Sequence, residues 1–184
     1  AVYLARALAM AGPRRLCRRC RGVAATTPPD VLVSEDGRLV AVRGADERLI
    51  LSNRRRARFT GELWLRMDGQ REAGSWPVVG ATPLRGQACG NLGCIFRIRD
   101  TTLAVITNPL ALEEDCRRAD TVIAARLSLP RRCEEAGPNN VIARYHLWRR
   151  AGHAIRIGEE GIHLETVEDL RGTRPWTSPR NAGQ

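Results

Sequence analysis

The sequence contains no lysine. All 30 of its basic residues are arginine, and with 20 acidic residues they give a formal net charge of +10 at pH 7. A chain rich in Arg and Ala but without Lys is typical of base-composition bias in a GC-rich genome. The charge is therefore weak evidence for a nucleic-acid ligand, although its field would attract polyanions. Aromatic residues, on which bases would stack, make up only 4% of the chain, which favours a solvated basic surface over a dedicated nucleic-acid groove.

Histidine is missing from the first 145 residues, and all three histidines lie between residues 146 and 163. A zinc site needs ligands that converge on one point. His153, in the predicted strand "HAIRI", faces the same side as Ile155 and therefore the core, whereas His163 alternates with the apolar residues of "IHLETV" and points away. His146 lies on a predicted short helix. We therefore expect the three side chains to diverge, and we predict no metal site.

Motifs for nucleophilic or phosphate chemistry are missing as well. The sequence has no nucleophile elbow, no glycine-rich phosphate loop and no two-histidine helix motif. Glu113 and Glu114 fall in the first part of a predicted helix, where capping and solvation explain them better than acid–base catalysis. We predict no catalytic residue and no cofactor. The enzymatic alternative is an unrecognised hydrolase that uses His153 or His163 as a base, and the spacing identifies no partner for either.

No apolar run is long enough to cross a bilayer, which takes about 20 residues. The opening "AVYLARALAMAG" is largely apolar and precedes the arginine-rich "PRRLCRRCRG". This pattern fits either the end of a trimmed transmembrane helix or an amphipathic surface helix or tail. Because the chain does not begin with Met, we expect it to be part of a longer open reading frame. We divide it into a transmembrane or juxtamembrane segment plus linker at 1–29, one domain at 30–176 and a disordered tail at 177–184.

From residue 30 onward, short apolar runs alternate with turn residues. "DVLVS", "RLVAVR" and "RLILS" predict a three-stranded meander, and "CIFRIR" with "TLAVIT" predicts a hairpin across Asp100 and Thr101. A helix follows with Asn108 as its N-cap and Pro109 at its first position. "DTVIAA" and "VIA" predict strands, "RYHLWRRA" a short helix, and "HAIRI" with "IHLETV" a closing hairpin. This order of elements favours a layered α/β domain.

The segment "RRRARFTGELWLRM" predicts a further helix between the meander and the first hairpin. We expect it to pack through four apolar side chains at helical spacing: Phe59, Leu63, Trp64 and Met67. If the domain binds DNA, the most concentrated candidates for phosphate contacts are the arginines at the start of this segment: Arg54, Arg55, Arg56 and Arg58. The alternative is that these arginines only solvate the beginning of the helix.

Six cysteines need an explanation in a chain of this size. Four lie in one half of the predicted domain, and of their three possible pairings we favour Cys89 with Cys94 and Cys116 with Cys133, because two bridges there would anchor long loops. Free buried thiols are one alternative. The other is a zinc-stabilised interaction module that uses the two close pairs of the chain: Cys17, Cys20, Cys89 and Cys94.

Several stretches together resemble the C-terminal region of ComEC-family competence proteins, particularly those of alphaproteobacterial type. The stretches are "VLVSEDGRLVAVRG", "CGNLGCIFRIRD", "LEEDCRRADTVIAA", "VIARYHLWRRAGHAIRI" and "RGTRPW", and the resemblance extends from Pro29 to Trp176. ComEC proteins are polytopic inner-membrane proteins that carry incoming single-stranded DNA into the cell during natural transformation. Many end in a domain similar to the metallo-β-lactamase fold, a sandwich of two sheets covered by helices that is thought to degrade the non-transported strand.

The resemblance implies an α/β fold of the metallo-β-lactamase type, with mixed sheets and flanking helices. It also implies that the parent protein lies in the bacterial inner membrane and that this domain is on the periplasmic side, where oxidising conditions favour disulfides over thiols. The implied partners are single-stranded DNA, the membrane through the parent chain, and other proteins of the competence machinery.

The sequence departs from the family at the metal ligands. A metal-dependent member carries a His-x-His-x-Asp-His cluster after its opening strands, where this chain has "RRRARFTGELW". It carries another histidine after the strand that corresponds to "DTVIAA", where this chain has "RLSLPRRC". Without these ligands the two-metal mechanism, in which bound ions generate hydroxide and stabilise the leaving oxygen, cannot be assembled. We therefore predict a degenerate, non-catalytic version of the fold that acts in DNA guidance or assembly.

Overall fold

The computed structural model describes residues 27–55, 57–79, 86–135 and 140–172. Nearly all of the expected membrane-associated segment at 1–29 lies outside these ranges, as does the predicted tail at 177–184. None of the helices within them is long and apolar enough to span a bilayer. The described part has a mixed α/β fold with two sheets of five strands each.

The first sheet is antiparallel throughout. Its strands are Val31–Val33 (β1), Val40–Arg43 (β2), Leu49–Leu51 (β3), His153–Gly158 (β9) and Gly161–Thr166 (β10). They lie in the order β10-β9-β1-β2-β3. Val31 of β1 is opposite Val42 on one side and Ile155 on the other. The predicted meander and the predicted closing hairpin therefore join through β1 into one sheet.

The second sheet is mixed. Its strands are Gln87–Cys89 (β4), Gly93–Ile98 (β5), Thr101–Ile106 (β6), Thr121–Ala124 (β7) and Asn140–Ala143 (β8), in sequential order. β4, β5 and β6 are antiparallel neighbours, whereas β6, β7 and β8 run parallel. The hairpin of β5 and β6 confirms the sequence prediction. All four residues of β7 are buried, as expected for a strand covered on both faces.

Five α-helices lie within the described ranges. They are Arg58–Met67 (α1), Leu112–Arg118 (α2), Arg131–Glu135 (α3), Arg144–Arg150 (α4) and Val167–Arg171 (α5). A 3-10 turn over Pro109–Ala111 precedes α2. Asn108 caps this turn as predicted, because its Oδ1 accepts a hydrogen bond from the backbone N–H of Leu110 at 3.0 Å.

The fold has four layers with three apolar cores. The central core lies between the inner faces of the sheets, with Val31, Val42 and Ile155 from the first sheet and Phe96 and Ile123 from the second. A second core lies between the first sheet and α1, and a third between the second sheet and the α2–α3 pair. The order helix, sheet, sheet, helix confirms the prediction of a layered α/β domain.

Helix α1 forms where the sequence predicts it, but the predicted packing face is wrong. Gly61 and Leu65 are the buried residues of the helix, and a Cβ at Gly61 would come within 3.0 Å of Leu51. Of the four side chains expected to pack, Trp64 alone is partly buried against this core. The others are 81%, 40% and 78% exposed: Phe59, Leu63 and Met67. The helix approaches the sheet on the side where glycine leaves room.

The two ends of the sandwich differ in their charged groups. We call one the ion-paired end, defined by Asp30, Arg43, Asp68, Gln70 and Arg99. We call the other the basic end, defined by its exposed arginines: Arg54, Arg55, Arg126, Arg144, Arg149 and Arg150. Strands β3, β6, β7, β8 and β10 all run towards the basic end, since Gly37 in the β1–β2 turn touches Ala125 at the end of β7. Every described α-helix therefore follows a strand that ends there.

At the ion-paired end, Arg43 and Asp68 form a bidentate ion pair that ties β2 to the end of α1. The distances are 2.6 Å from Nη2 to Oδ1 and 3.0 Å from Nη1 to Oδ2, and the side chains are only 7% and 12% exposed. The hydrogen bonds that Arg43 donates to the Asp68 carboxylate raise the pKa of its guanidinium. Gln70 donates to the Asp68 carboxylate and accepts from the backbone N–H of Leu49.

The same end buries the carboxylate of Asp30, directly before β1. Its Oδ2 accepts from the backbone N–H of Ile157 at 2.7 Å, and its Oδ1 lies 3.5 Å from Nη1 of Arg99. Arg99 also donates to the carbonyl oxygen of Ile157. The charges that define this end are thus used to join β1, β9 and the β5–β6 turn.

Candidate functional site

The three histidines point to different surroundings. His153 is 4% exposed, and its Nδ1–H donates to the carbonyl oxygen of Ala151 at 2.8 Å. His146 accepts at Nδ1 from the backbone N–H of Ala143 at 3.1 Å. His163 is exposed beside Glu165, with 3.8 Å between Nδ1 and Oε1. In the part of the chain that the structure describes, no three His, Cys, Asp or Glu side chains come together as a possible metal site.

Burial lowers the pKa of His153, and electrostatic interactions with His146 and Arg150 lower it further, against the opposing effect of its hydrogen bond to Ala151. A neutral imidazole whose Nδ1–H is held by a carbonyl oxygen can be explained as part of the core. Among the described residues, no carboxylate or hydroxyl group forms a hydrogen bond with the imidazole of His153, so the geometry gives the hydrolase alternative no partner for this base.

The two segments in which the ComEC resemblance places metal ligands both lie at the basic end. One follows β3 and leads into α1, and the other follows β7 and leads into α3. Asn53 Oδ1 accepts from the backbone N–H of Arg55 at 3.2 Å in the first. Ser128 Oγ accepts from Arg144 Nη2 at 3.0 Å in the second. Neither segment contains a histidine, so the residues present do not fit a two-metal centre.

Four cysteines form two disulfides. Cys89 is bonded to Cys94 across the β4–β5 connection, with 4.1 Å between the Cα atoms, and Cys116 is bonded to Cys133 between α2 and α3, with 5.3 Å. This is the pairing that we favour from the sequence. It leaves the zinc-module alternative without free thiolates at Cys89 and Cys94. Its other two cysteines, at positions 17 and 20, lie outside the described residues.

Of the arginines proposed for phosphate contacts, the three that the structure describes are exposed, but they differ from one another. Arg54 and Arg55 lie in the turn before α1. Arg58 pairs with Glu62 one turn along the helix, at 2.6 Å between Nε and Oε1, so part of its charge is neutralised. Arg56 lies outside the described residues. The structure therefore presents Arg54 and Arg55 at the basic end.

Helix α4 presents a second basic surface that we did not predict from the sequence. We call it the α4 surface, and it comprises Arg144, Tyr145, Trp148, Arg149 and Arg150. Tyr145 and Trp148 are 56% and 57% exposed, with 6.0 Å between their ring centroids. The guanidinium of Arg149 lies 5.6 Å from the Tyr145 ring centroid and donates to its hydroxyl at 2.9 Å. Two neighbouring aromatic rings are thus presented to solvent beside arginines.

Local sequence explains the α4 surface. In "RYHLWRR" Leu147 is 2% exposed and anchors the helix in the central core. Tyr145 and Trp148 are three residues apart and Tyr145 and Arg149 four apart, so helical geometry places them on one exposed face. The signal in the sequence was an arginine-rich helix whose aromatic residues flank a single core leucine.

The electrostatics of the α4 surface are strongly positive. The helix has three arginines and no acidic residue, and none of the three forms an ion pair with a residue in the described ranges. The pKa of the Asp169 carboxyl group on α5 is lowered mainly by the hydrogen bond from the Thr166 hydroxyl. The positive charge of Arg150 lowers it more weakly, so Asp169 interacts electrostatically with α4. Most of the charge on α4 is therefore available to an anionic ligand.

Comparisons with known proteins provide no match that bears on the resemblance to ComEC proteins, which therefore rests on the quoted stretches and on this geometry. No protein-family model, curated protein or solved structure matches the chain.

Proposed function

We propose that this chain is the C-terminal soluble domain of a ComEC-like inner-membrane channel for transforming DNA, and that it contacts single-stranded DNA without hydrolysing it. In this proposal the domain is a degenerate version of the metallo-β-lactamase fold and serves in DNA guidance or assembly. The proposal rests on the motif resemblance, on the layer order and on the α4 surface.

The fold supports this proposal through its layers. Two sheets packed face to face and covered by helices are the architecture that the resemblance implies. The segments after β3 and β7 lie at the same end of the sandwich, as the ligand-bearing loops of a metal-dependent relative must. The two disulfides suit a domain on the oxidising, periplasmic side of the membrane.

The single observation that carries the DNA contact is the α4 surface. Proteins that bind single strands combine positive charge along the backbone with aromatic rings on which bases stack. Tyr145 and Trp148 supply the rings, and Arg144 and Arg149 supply charge beside them. In a duplex the base faces are already stacked, so an arrangement of this kind favours single-stranded over double-stranded DNA.

Fluorescence anisotropy of the full 184-residue chain with matched single- and double-stranded oligonucleotides tests the contact. We expect tighter binding to the single strand. The logarithm of the binding constant should fall linearly with the logarithm of the salt concentration, and the slope gives the number of phosphates that the protein neutralises. Absence of binding at low salt, or a preference for the duplex, would contradict the proposed DNA contact and leave assembly as the remaining role.

Metal analysis and a nuclease assay test the non-catalytic part of the proposal. The purified chain should contain no tightly bound zinc or manganese and should not cleave either oligonucleotide when these ions are added, because the histidines of a two-metal centre are missing. Metal-dependent turnover that survives purification to constant specific activity would refute this part.

A further inference from the structure

Helix α1 is apolar on two opposite faces. One face packs on the first sheet through Gly61 and Leu65. On the other, three large apolar side chains follow at four-residue spacing and are 81%, 40% and 78% exposed: Phe59, Leu63 and Met67. Residues four apart are neighbours on a helix surface, so these three form one continuous row that we call the α1 ridge. The three cores formed by the described residues do not use it.

The surroundings of the α1 ridge are basic. Arg66 lies on the same exposed side of the helix, and Arg54 and Arg55 precede it in the turn at the basic end. The one acidic residue of the helix, Glu62, is paired with Arg58. No ion pair joins Arg54, Arg55 or Arg66 to another described residue. An apolar row flanked by such arginines has the composition of a helix that lies in the interface of an anionic bilayer, with its apolar side chains among the acyl chains and its arginines at the headgroups.

We propose that the α1 ridge docks on the surface of an anionic lipid bilayer. This inference does not depend on the proposed DNA contact, which uses a different helix. A second copy of the chain fits the ridge poorly, because a symmetric contact would bring the arginines of both copies together. Nucleic acid would pair with Arg54 and Arg55, but it would leave the aliphatic side chains of Leu63 and Met67 unexplained. A bilayer accounts for the charge and for the apolar row together.

Co-sedimentation of the full chain with vesicles tests this docking. We expect binding to vesicles of equal parts phosphatidylglycerol and phosphatidylcholine at low ionic strength, and much weaker binding to phosphatidylcholine alone. The double variant Phe59→Ser/Met67→Ser should reduce partitioning onto the anionic vesicles by about tenfold or more, because it removes two apolar side chains from the contact. Arg54→Gln/Arg55→Gln should reduce it too and should weaken its salt dependence.

The matched control is Leu110→Ser, which removes an apolar side chain that is 79% exposed in the 3-10 turn on another face. It should leave vesicle binding unchanged, and Tyr145→Ala/Trp148→Ala should do so as well while weakening DNA binding. All substituted side chains on α1 are exposed, so thermal unfolding should show folded variants.

Three results would overturn the proposal: no binding to anionic vesicles, equal losses for the ridge variant and Leu110→Ser, or binding that depends on salt but not on the ridge. Self-association that the ridge variant abolishes, without vesicle binding, would assign the ridge to a second copy instead.

Discussion

The ion-paired end and the basic end use the same residue type for different purposes. Arg43 is nearly buried and bonded to Asp68, and Arg99 reaches the buried carboxylate of Asp30. Arg54 and Arg149 are exposed, and no ion pair joins either of them to another described residue. An arginine-rich composition therefore does not by itself indicate a ligand. What separates Arg43 and Arg99 from Arg54 and Arg149 is whether an ion pair joins the arginine to an acidic side chain among the described residues.

The largest effect should come from breaking the ion-paired end. Arg43→Met leaves the Asp68 carboxylate buried without its counterion, and losing one member of a buried pair costs about 3 to 5 kcal/mol of unfolding free energy. Urea denaturation followed by circular dichroism measures it. The matched control is Arg58→Met, which removes the cation of an exposed ion pair on α1, the helix that Asp68 directly follows. A loss below about 1 kcal/mol for Arg43→Met would mean that this end is not held by its charges.

A smaller loss should follow removal of a disulfide. The Cys116→Ala/Cys133→Ala variant opens a link with a sequence separation of 17, whereas Cys89→Ala/Cys94→Ala opens one with a separation of 5. From loop closure we expect losses of about 3 and about 2 kcal/mol respectively. Urea denaturation of both variants under non-reducing conditions gives the order, and the reverse order would contradict the loop-closure explanation.

Stability should also depend on pH through His153 at the start of β9. Because burial lowers its pKa in the folded state, the unfolded chain binds the proton more readily, and stability rises with pH. The stability that neutral His153 contributes is fully present above the unfolded-state pKa of about 6.5. Below that pH the free energy of unfolding falls by up to about 1.4 kcal/mol per pH unit.

Unfolding free energies between about pH 7.5 and about pH 5.5 test this effect, since most carboxyl groups stay ionised in that window. His153→Gln should flatten the pH dependence. An equal slope in the wild type and His153→Gln would place the titrating group elsewhere.

The smallest effect should come from the exposed pair at the start of α1. Glu62→Gln removes the partner of Arg58, and both side chains are more than half exposed. An exposed pair four residues apart contributes little, because solvent and salt screen the two charges. Urea denaturation at low and high salt should show a small loss that disappears at high salt, and a loss comparable to that of Arg43→Met would erase the distinction between the two ends.

Periodicity predicted the layered fold well, but it did not predict which face of α1 would pack. The β5–β6 hairpin and β7 follow from continuous or alternating apolar runs. Phe59, Leu63 and Met67 have the spacing of a core face, and only the approach of the helix to Leu51 at Gly61 shows that the opposite side packs. A tertiary contact, and not the spacing of the apolar residues, decided which face packs.

The candidate sites were harder to predict than the fold. A cluster of arginines can be recognised from sequence alone, and for this reason we predicted phosphate contacts at residues that include Arg54 and Arg55. The α4 surface requires knowing that Leu147 is the buried side of its helix, because only then do Tyr145 and Trp148 become exposed neighbours of Arg149. Short elements with weak periodicity, such as β4, α3 and α5, were missed for the same reason: packing, and not local pattern, stabilises them.

The most direct test of the central claim compares two variants of the basic end in single-stranded DNA binding by fluorescence anisotropy. Tyr145→Ala/Trp148→Ala should weaken binding by about tenfold or more, since each stacked base contributes about 1 to 3 kcal/mol. Arg54→Ala/Arg55→Ala should have a smaller effect that vanishes at high salt. If the α4 variant binds single-stranded DNA as tightly as the wild type, the α4 surface is not the DNA contact and the account of the basic end is wrong.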